Sequence, residues 1–288
     1  MAARRSPTVR KRRLAAELRR LRKESGLTRE QVAERVGCAP ITITRIETGQ
    51  SGARLGEVAL MLETYGVTGD RREALMQVAR DARKRGWWHP HTKAIPEWFQ
   101  TYIGIEEEAS SLRIYEAEVV PGLLQTEAYA TATYLAEPVL LEKDEIARRV
   151  ALRMERQRRL LEANDAPSMW VVLSEAVLRR HVGGKAVMRE QLQYLDTLSR
   201  RPNVMLQVLP FSAGAHPAMQ GGFTILSFPE PEDPDVVYVE YRLGSIYLEG
   251  HEEVDSYALL YNHLCAQALS RDGTRDLIAQ VVDDMREP

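Results

Sequence analysis

The chain has 288 residues, of which 44% are hydrophobic and 28% charged, a composition typical of a folded protein of about two domains. No apolar run reaches the ~18 residues that a membrane span needs, and two distant cysteines, Cys38 and Cys265, indicate neither a disulfide framework nor a zinc cluster. The first thirteen residues carry six basic residues and no apolar segment of a secretory signal, so we expect a cytoplasmic protein.

The basic and acidic residues are divided between the two ends of the chain. Residues 1–86 hold 20 Arg and Lys against 10 Asp and Glu, a formal charge of +10, whereas the remaining residues hold 19 against 31, a charge of −12. A basic segment concentrates polyanions by releasing their counterions, so this division favours a nucleic-acid-binding end. A solvated, Arg-rich helix surface would give the same charge, so composition leaves both interpretations open.

The basic end is predicted to be a flexible basic tail over residues 1–9 followed by helices within residues 10–86. Leu14, Leu18 and Leu21 recur at spacings of four and three, as on one face of a helix. The same kind of pattern predicts four more helices, at about residues 28–36, 40–48, 54–65 and 70–85. The pattern therefore predicts an all-α domain at this end.

The composition changes after Gly86, and residues 87–95 are predicted to be a junction rich in Trp, His and Pro. The domain beyond it, residues 96–288, mixes helices with a run of strands, which predicts an α/β or α+β fold with a mixed sheet. Its helices are expected at about residues 96–109, 126–135, 142–162, 175–180, 185–200 and 252–269. Its strands are expected at about residues 112–120, 169–173, 204–209, 223–228, 236–240 and 246–249. In the helix over 142–162, arginines alternate with acidic residues, which favours a solvated face.

The segment from Leu27 to Gly49 has the pattern of two short helices joined by a tight turn. Thr28 and Gln31 have the spacing of a capping box, in which a hydroxyl and an amide close the first turn of a helix. Gly37 stands where the turn needs an unusual backbone conformation, and Pro40 suits the first turn of the next helix.

The segment from Leu14 to Val67 resembles the helix-turn-helix family of the phage lambda and 434 repressors, the XRE family. This resemblance implies a five-helix lambda-repressor-like DNA-binding head whose third helix enters the major groove of double-stranded DNA. The residues that it implies for DNA contacts form two groups. Base edges would be read by Ile41, Thr42 and Arg45, and phosphates would be bound by Thr28, Gln31, Thr44, Gln50 and Arg54.

The recognition helix departs from the family pattern at its start. Ala39, Pro40 and Ile41 stand where the family often has Ser and a Gln or Asn able to make paired hydrogen bonds to a base. Ile41 and Thr42 suit thymine methyl groups, and Arg45 suits guanine. Contact of Arg45 with a phosphate is an equal alternative to base reading.

Arg22 and Glu47 occupy positions where the family often holds a partly buried ion pair. Such a pair fixes helix geometry more than it adds stability. An ordinary exposed pair is the alternative interpretation.

Three stretches of the second half, residues 95–109, 114–116 and 120–130, resemble a domain of antitoxin-like regulators, the Scr1 family of actinomycetes, in which DUF5753 follows an XRE-type head. This resemblance implies a sequence-specific transcription regulator associated with the nucleoid, with a homodimer expected from the helix-turn-helix family. It also implies that the second half binds a small protein partner encoded nearby. A regulator controlled by a small-molecule ligand in this half is the alternative.

The remaining motifs argue against an enzyme. The sequence has neither the glycine-rich loops that cradle phosphates nor a G-x-S-x-G nucleophile elbow. His251 begins a stretch like a zinc-protease helix, but Asp255 stands where the second His is needed. His89 and His91 lack a nearby third ligand. We therefore expect no catalytic residue, no metal and no cofactor, and the alternative is an unrecognised active site in residues 96–288.

Overall fold

The computed structural model describes residues 7–84, 86–137, 141–230 and 233–285. The chain divides into two compact units. The head unit comprises Met1–His89 and Gly104–Glu108, and the sheet unit comprises Pro90–Ile103 and Ala109–Pro288. None of the described helices combines the length and the hydropathy that crossing a membrane requires.

The head unit is built on five α-helices, which confirms the predicted all-α head. They are α1 (Pro7–Glu24), α2 (Arg29–Val36), α3 (Pro40–Glu47), α4 (Leu55–Thr64) and α5 (Gly69–Asp81). Helix α1 begins at Pro7, so residues 7–9 of the expected flexible tail are helical instead, because proline fits the first turn of a helix. Residues 1–6 of that tail lie outside the described residues.

A single apolar cluster holds the five helices together. Leu18 of α1, Ile43 of α3 and Leu62 of α4 are completely buried in it. Val32 and Ala33 add the inner side of α2, where the small Ala33 allows close approach to α3. Burial of a side chain of this size contributes about 2 kcal/mol. The inner sides of α2 and α3 are therefore fixed by packing, which sets the direction of their outer sides.

The sheet unit contains one six-stranded mixed sheet, which confirms the predicted α/β domain. The strands are β1 (Ser111–Glu116), β2 (Ser168–Ser174), β3 (Val204–Leu209), β4 (Phe223–Ser227), β5 (Val236–Tyr241) and β6 (Gly244–Leu248). Their order is β3-β2-β1-β4-β5-β6. The first three run parallel, with Ser111 paired to Ser168, and β4 joins β1 antiparallel, with Tyr115 paired to Phe223.

The remaining α-helices are α6 (Glu97–Glu108), α7 (Glu127–Leu135), α8 (Lys143–Leu161), α9 (Glu175–Arg179), α10 (Lys185–Ser199), α11 (His251–Gln267) and α12 (Arg271–Asp284). Helix α11 covers one face of the sheet, where its buried Tyr261 and Leu264 pack against Tyr115, Phe223 and Val237. This aromatic-rich core fixes the register of the central strands, because a slip of one residue would move these side chains to the opposite face.

Two elements differ from the sequence prediction. Strand β1 ends at Glu116 rather than near Val120, and the backbone N–H of Val120 donates to the Tyr129 hydroxyl at 3.2 Å instead of to a neighbouring strand. Helix α12 was not predicted. The Ser270 hydroxyl caps it by accepting from the Gly273 N–H at 3.1 Å.

Candidate nucleic-acid interface

Local hydrogen bonds close both ends of helix α2. At the start of α2 the Thr28 hydroxyl accepts from the Gln31 N–H at 3.3 Å, and the Gln31 side-chain oxygen accepts from the Thr28 N–H at 2.9 Å. At its end Gly37 has a left-handed φ of 76° and donates to the carbonyl groups of Ala33 and Glu34. A side chain at Gly37 would strain this conformation, so glycine fits the turn.

Helix α3 has an inner and an outer side. Ile43 and Ile46 are buried against the core, whereas Ile41 is 55% exposed and Arg45 is exposed. Thr42 lies at the border and is half-buried. The three residues expected to read bases are thus on a solvent-facing part of the helix, with a cation near its C-terminal end.

A buried carboxylate joins α3 to both preceding helices. The side chain of Glu47 is fully buried, and its two oxygens accept from Arg22 Nε at 2.6 Å and Arg22 Nη2 at 3.0 Å. Arg22 Nη1 also donates to the carbonyl oxygen of Leu27 at 3.0 Å, and Arg29 Nε donates to Glu47 at 3.2 Å. The hydrogen bond to Glu47 raises the pKa of Arg22, so the guanidinium keeps its charge in this partly buried place.

Arg29 is a residue that sequence reasoning missed. It reaches Glu47 across 18 positions of sequence, and its side chain is 37% exposed. No spacing rule within one helix links two such positions, so only the packing of α2 against α3 reveals the contact. The network of Arg22, Arg29 and Glu47 helps to fix the orientation of α3 relative to α1 and α2.

The residues expected to bind phosphates differ in how well their geometry suits that role. Thr28 and Gln31 are exposed at the N-terminus of α2, where backbone N–H groups favour an anion. Since Gln31 uses its oxygen in the cap, its NH₂ group is the part of the side chain that could donate to a phosphate. Thr44 suits the role least, because it is half-buried and its hydroxyl donates to the carbonyl oxygen of Pro40 at 3.3 Å.

Gln50 and Arg54 are exposed in the segment between α3 and α4. The Arg54 N–H donates to the Glu57 carboxylate at 2.8 Å, which fixes the backbone at the start of α4. Among the described residues, no ion pair involves the side chain of Arg45 or Arg54. By contrast, Arg20 on α1 is paired with carboxylates of its own helix. Within the described part of the chain, no ion pair therefore neutralises Arg45 on α3 or Arg54 at the start of α4.

Within the described ranges, no group of three His, Cys, Asp or Glu residues has the arrangement of a metal site. The expected solvated face of α8 is wrong for two arginines. Arg156 is buried, and Arg153 donates to the Tyr134 hydroxyl at 2.8 Å and to Gln125, with its guanidinium 4.7 Å from the Tyr134 ring centroid. Arg153 therefore faces α7 and the turn before it, and the guanidinium of Arg156 lies 5.1 Å from the ring centroid of Phe99 on α6.

Comparison with known families gives two matches that fit this architecture. A family model described as a helix-turn-helix domain matches residues 13–75. A model described as a domain of unknown function, DUF5753, matches residues 99–280. Neither curated proteins nor solved structures give a match. The sequence-based identification of an XRE-type head followed by DUF5753 is thereby confirmed.

Proposed function

This chain belongs to the DUF5753 family, and from that premise we propose that it is a sequence-specific transcription regulator whose recognition helix is α3. Its helix-turn-helix domain supports a DNA-binding regulator. The observation that supports α3 as the recognition helix is its two-sided structure. Ile41 and Arg45 are exposed on its outer side, and the buried Glu47 binds Arg22 on its inner side. In this proposal residues 10–86 bind DNA, residues 87–95 join the domains, and residues 96–288 control the head.

In the proposed complex, α3 lies in the major groove. Ile41 and Thr42 contact thymine methyl groups, and Arg45 donates to the O6 and N7 atoms of a guanine. The phosphates on either side are bound by Thr28, Gln31, Thr44, Gln50 and Arg54, with the weakest geometric support for Thr44. This arrangement assigns sequence reading to three side chains and leaves the others to fix the position of the head on the duplex.

The regulator is proposed to act in the cytoplasm on the nucleoid as a homodimer on a pseudo-palindromic site. Two recognition helices about 34 Å apart would then enter successive major grooves on one side of the duplex. The sheet unit is proposed to bind a small, toxin-like protein partner that sets the activity of the head. Family resemblance supports this antitoxin-like part, and co-purification of a partner with the full chain tests it.

The first test separates base reading from phosphate contact. We expect Arg45→Ala to weaken binding to the specific site by about 1–3 kcal/mol and to relax specificity at one base pair. Arg54→Ala should weaken binding to all sequences alike and lower the slope of log K against log salt by about 1. Selection from a random duplex library, followed by titrations at several salt concentrations, measures both effects. If both variants bind every sequence as the parent does, the assignment of α3 is wrong.

A further inference from the structure

The two edge strands of the sheet, β3 and β6, differ in how far other parts of the chain cover their open sides. At β3 the segment that leads into α12 covers the edge: the Leu269 N–H donates to the Val208 carbonyl oxygen at 2.8 Å, and the Val208 N–H donates to the Thr274 hydroxyl at 3.1 Å. At the other end the strand order stops at β6, which pairs with β5. Within the described chain, no residue hydrogen-bonds to the side of Ser245 that faces away from β5.

The sequence of β6 lacks the usual protection of an open edge. Residues 243–248, Leu-Gly-Ser-Ile-Tyr-Leu, contain no charge and no proline. Ile246 is 49% exposed, Leu243 in the adjoining turn is 84% exposed, and Tyr241 at the end of β5 is 54% exposed. Exposed edges are normally blunted by lysine, proline or a bulge, because they otherwise pair with another strand. An apolar, uncharged edge of this kind indicates that another chain covers it.

We infer that β6 pairs antiparallel with β6 of a second copy of this chain, centred on Ile246, so that the two sheets form one continuous sheet across a two-fold axis. The inference rests on the proposed function in taking the regulator as a dimer, and it adds the surface through which the dimer forms.

The ladder between β5 and β6 sets the geometry of this pairing. Tyr241 pairs with Gly244 across a two-residue turn, which makes them a hydrogen-bonded pair. Because the direction of backbone groups alternates, the Ser245 N–H points away from β5. In the symmetric pairing the Ser245 N–H donates to the carbonyl oxygen of Tyr247 of the second copy. A carbonyl oxygen has two lone pairs, so it can accept this bond in addition to another. Ile246 then lies opposite its own copy, where the Cα atoms approach to about 4.5 Å.

The charges beside β6 favour a second copy in the antiparallel direction. Identical strands place like side chains close together, and the uncharged segment 243–248 does so without repulsion. Arg242, which is 69% exposed and lies 3.8 Å from Glu137 of its own chain, precedes this segment, and Glu249 follows it. An antiparallel pair brings the Arg242 of each copy towards the Glu249 of the other, whereas a parallel pair would bring like charges together at both ends.

Charge reversal at the symmetric position tests the pairing. We expect sedimentation velocity to show that the full-length parent is a dimer and that Ile246→Lys and Ile246→Glu each raise the dimer dissociation constant at least about tenfold, since like charges would face each other. Mixing the two variants should restore a dimer that contains one copy of each, which also shows that both are folded. Leu259→Lys on α11, where the side chain is 61% exposed, is the matched control and should leave the parent dimer unchanged.

The outcomes separate this inference from the proposed function. If the parent is a dimer that Ile246→Lys leaves intact, or if the mixture stays monomeric, pairing through β6 is wrong while the DNA-binding proposal stands. If the parent is monomeric both alone and on a duplex, the pairing is also wrong. If the variants dissociate and recombine as expected but no chain binds duplex DNA, the pairing stands and the proposed function fails.

Discussion

The buried carboxylate of Glu47 links α3, the proposed recognition helix, to the two helices before it. Its carboxylate accepts hydrogen bonds from Arg22 on α1 and Arg29 on α2, so three helices meet at one side chain. Burial of the charges costs free energy that is close in size to the free energy gained from their attraction, so the net contribution of the network to stability is small. Removal of the carboxylate is a different matter, because it leaves the partly buried Arg22 without its partner.

We expect Glu47→Ala to destabilise the head unit by about 3 kcal/mol, since Arg22 would remain charged and only 12% exposed. The double variant Arg22→Met, Glu47→Met should recover most of this loss, because no unpaired charge remains on those two residues. Urea unfolding of the full chain, followed by circular dichroism, measures both. A Glu47→Ala variant as stable as the parent would contradict the structural role of the network.

A half-buried carboxyl group at the end of β1, that of Glu116, is expected to make stability depend on pH. Burial, and then the charge of Glu240, raise the pKa of Glu116 from its ordinary value of 4.5 to about 8. Between these values the folded state holds a proton that the unfolded state has lost. This group therefore lowers the stability of the sheet unit as the pH rises from 4.5 to about 8, and the loss then stays constant.

Glu116→Gln removes this ionisation, so we expect it to raise the melting temperature progressively between pH 5 and pH 9, with the largest gain at pH 9. Differential scanning calorimetry of the full chain at several pH values gives the gain. Glu118→Gln is a suitable control, because this nearby side chain is 69% exposed. The same gain at pH 5 and pH 9 would show that Glu116 acts by packing rather than by charge.

At the scale of the elements, the start of α2 combines two tasks. Thr28 and Gln31 close its first turn with reciprocal hydrogen bonds and are also the proposed phosphate ligands. An alanine at either position would remove a hydrogen bond of the cap together with the proposed phosphate contact. Loss of an N-cap alone costs about 1 kcal/mol, so the two effects could not be separated. A useful variant has to keep the cap and change the group that meets the phosphate.

Gln31→Glu meets this requirement. A glutamate three residues after the N-cap preserves the capping box and interacts favourably with the helix dipole, so we expect stability equal to or slightly above that of the parent. Its carboxylate replaces the NH₂ donor and repels the phosphate, so affinity for all duplexes should fall about tenfold or more. Thermal melting and fluorescence anisotropy measure the two effects. Unchanged binding would remove Gln31 from the interface.

The elements that the sequence predicted well are those whose signals are local. The periodic leucines of α1, the spacing of Thr28 and Gln31 and the glycine at 37 each act within one turn, and the structure shows the corresponding helices and turn. Helix α12 carries a local signal of the same kind, the helical spacing of its buried Ile278, Val281 and Val282, although the helix was not predicted.

Features set by contacts distant in sequence could not be predicted in this way. Val120, predicted to end β1, donates instead to the Tyr129 hydroxyl, and the guanidinium of Arg153 bonds to Tyr134 and Gln125. For the candidate site the same division holds. Its exposed side chains follow from the family pattern, whereas Arg29 meets Glu47 only in the folded domain.

At the scale of the whole molecule, the basic residues are concentrated in the first 86 residues and the acidic residues in the rest of the chain. Residues 1–86 carry a formal charge of +10, and the rest of the chain carries −12. Electrostatic attraction to DNA therefore concentrates in the head, while an acidic second half repels the duplex. In the proposed dimer two such heads would meet one duplex, which connects the strand pairing at β6 with the spacing of DNA sites.

The spacing of half-sites tests this connection. The two recognition helices of a dimer should prefer half-site centres about 10 base pairs apart, since the grooves then face the same side of the duplex. An insertion of about 5 base pairs turns one half-site to the opposite side, so we expect the parent's affinity to fall to that for a single half-site. Anisotropy titrations with the two duplexes measure this loss. Ile246→Lys should bind both duplexes equally, because a monomer reads one half-site at a time, and a parent indifferent to the insertion would contradict cooperation between the heads.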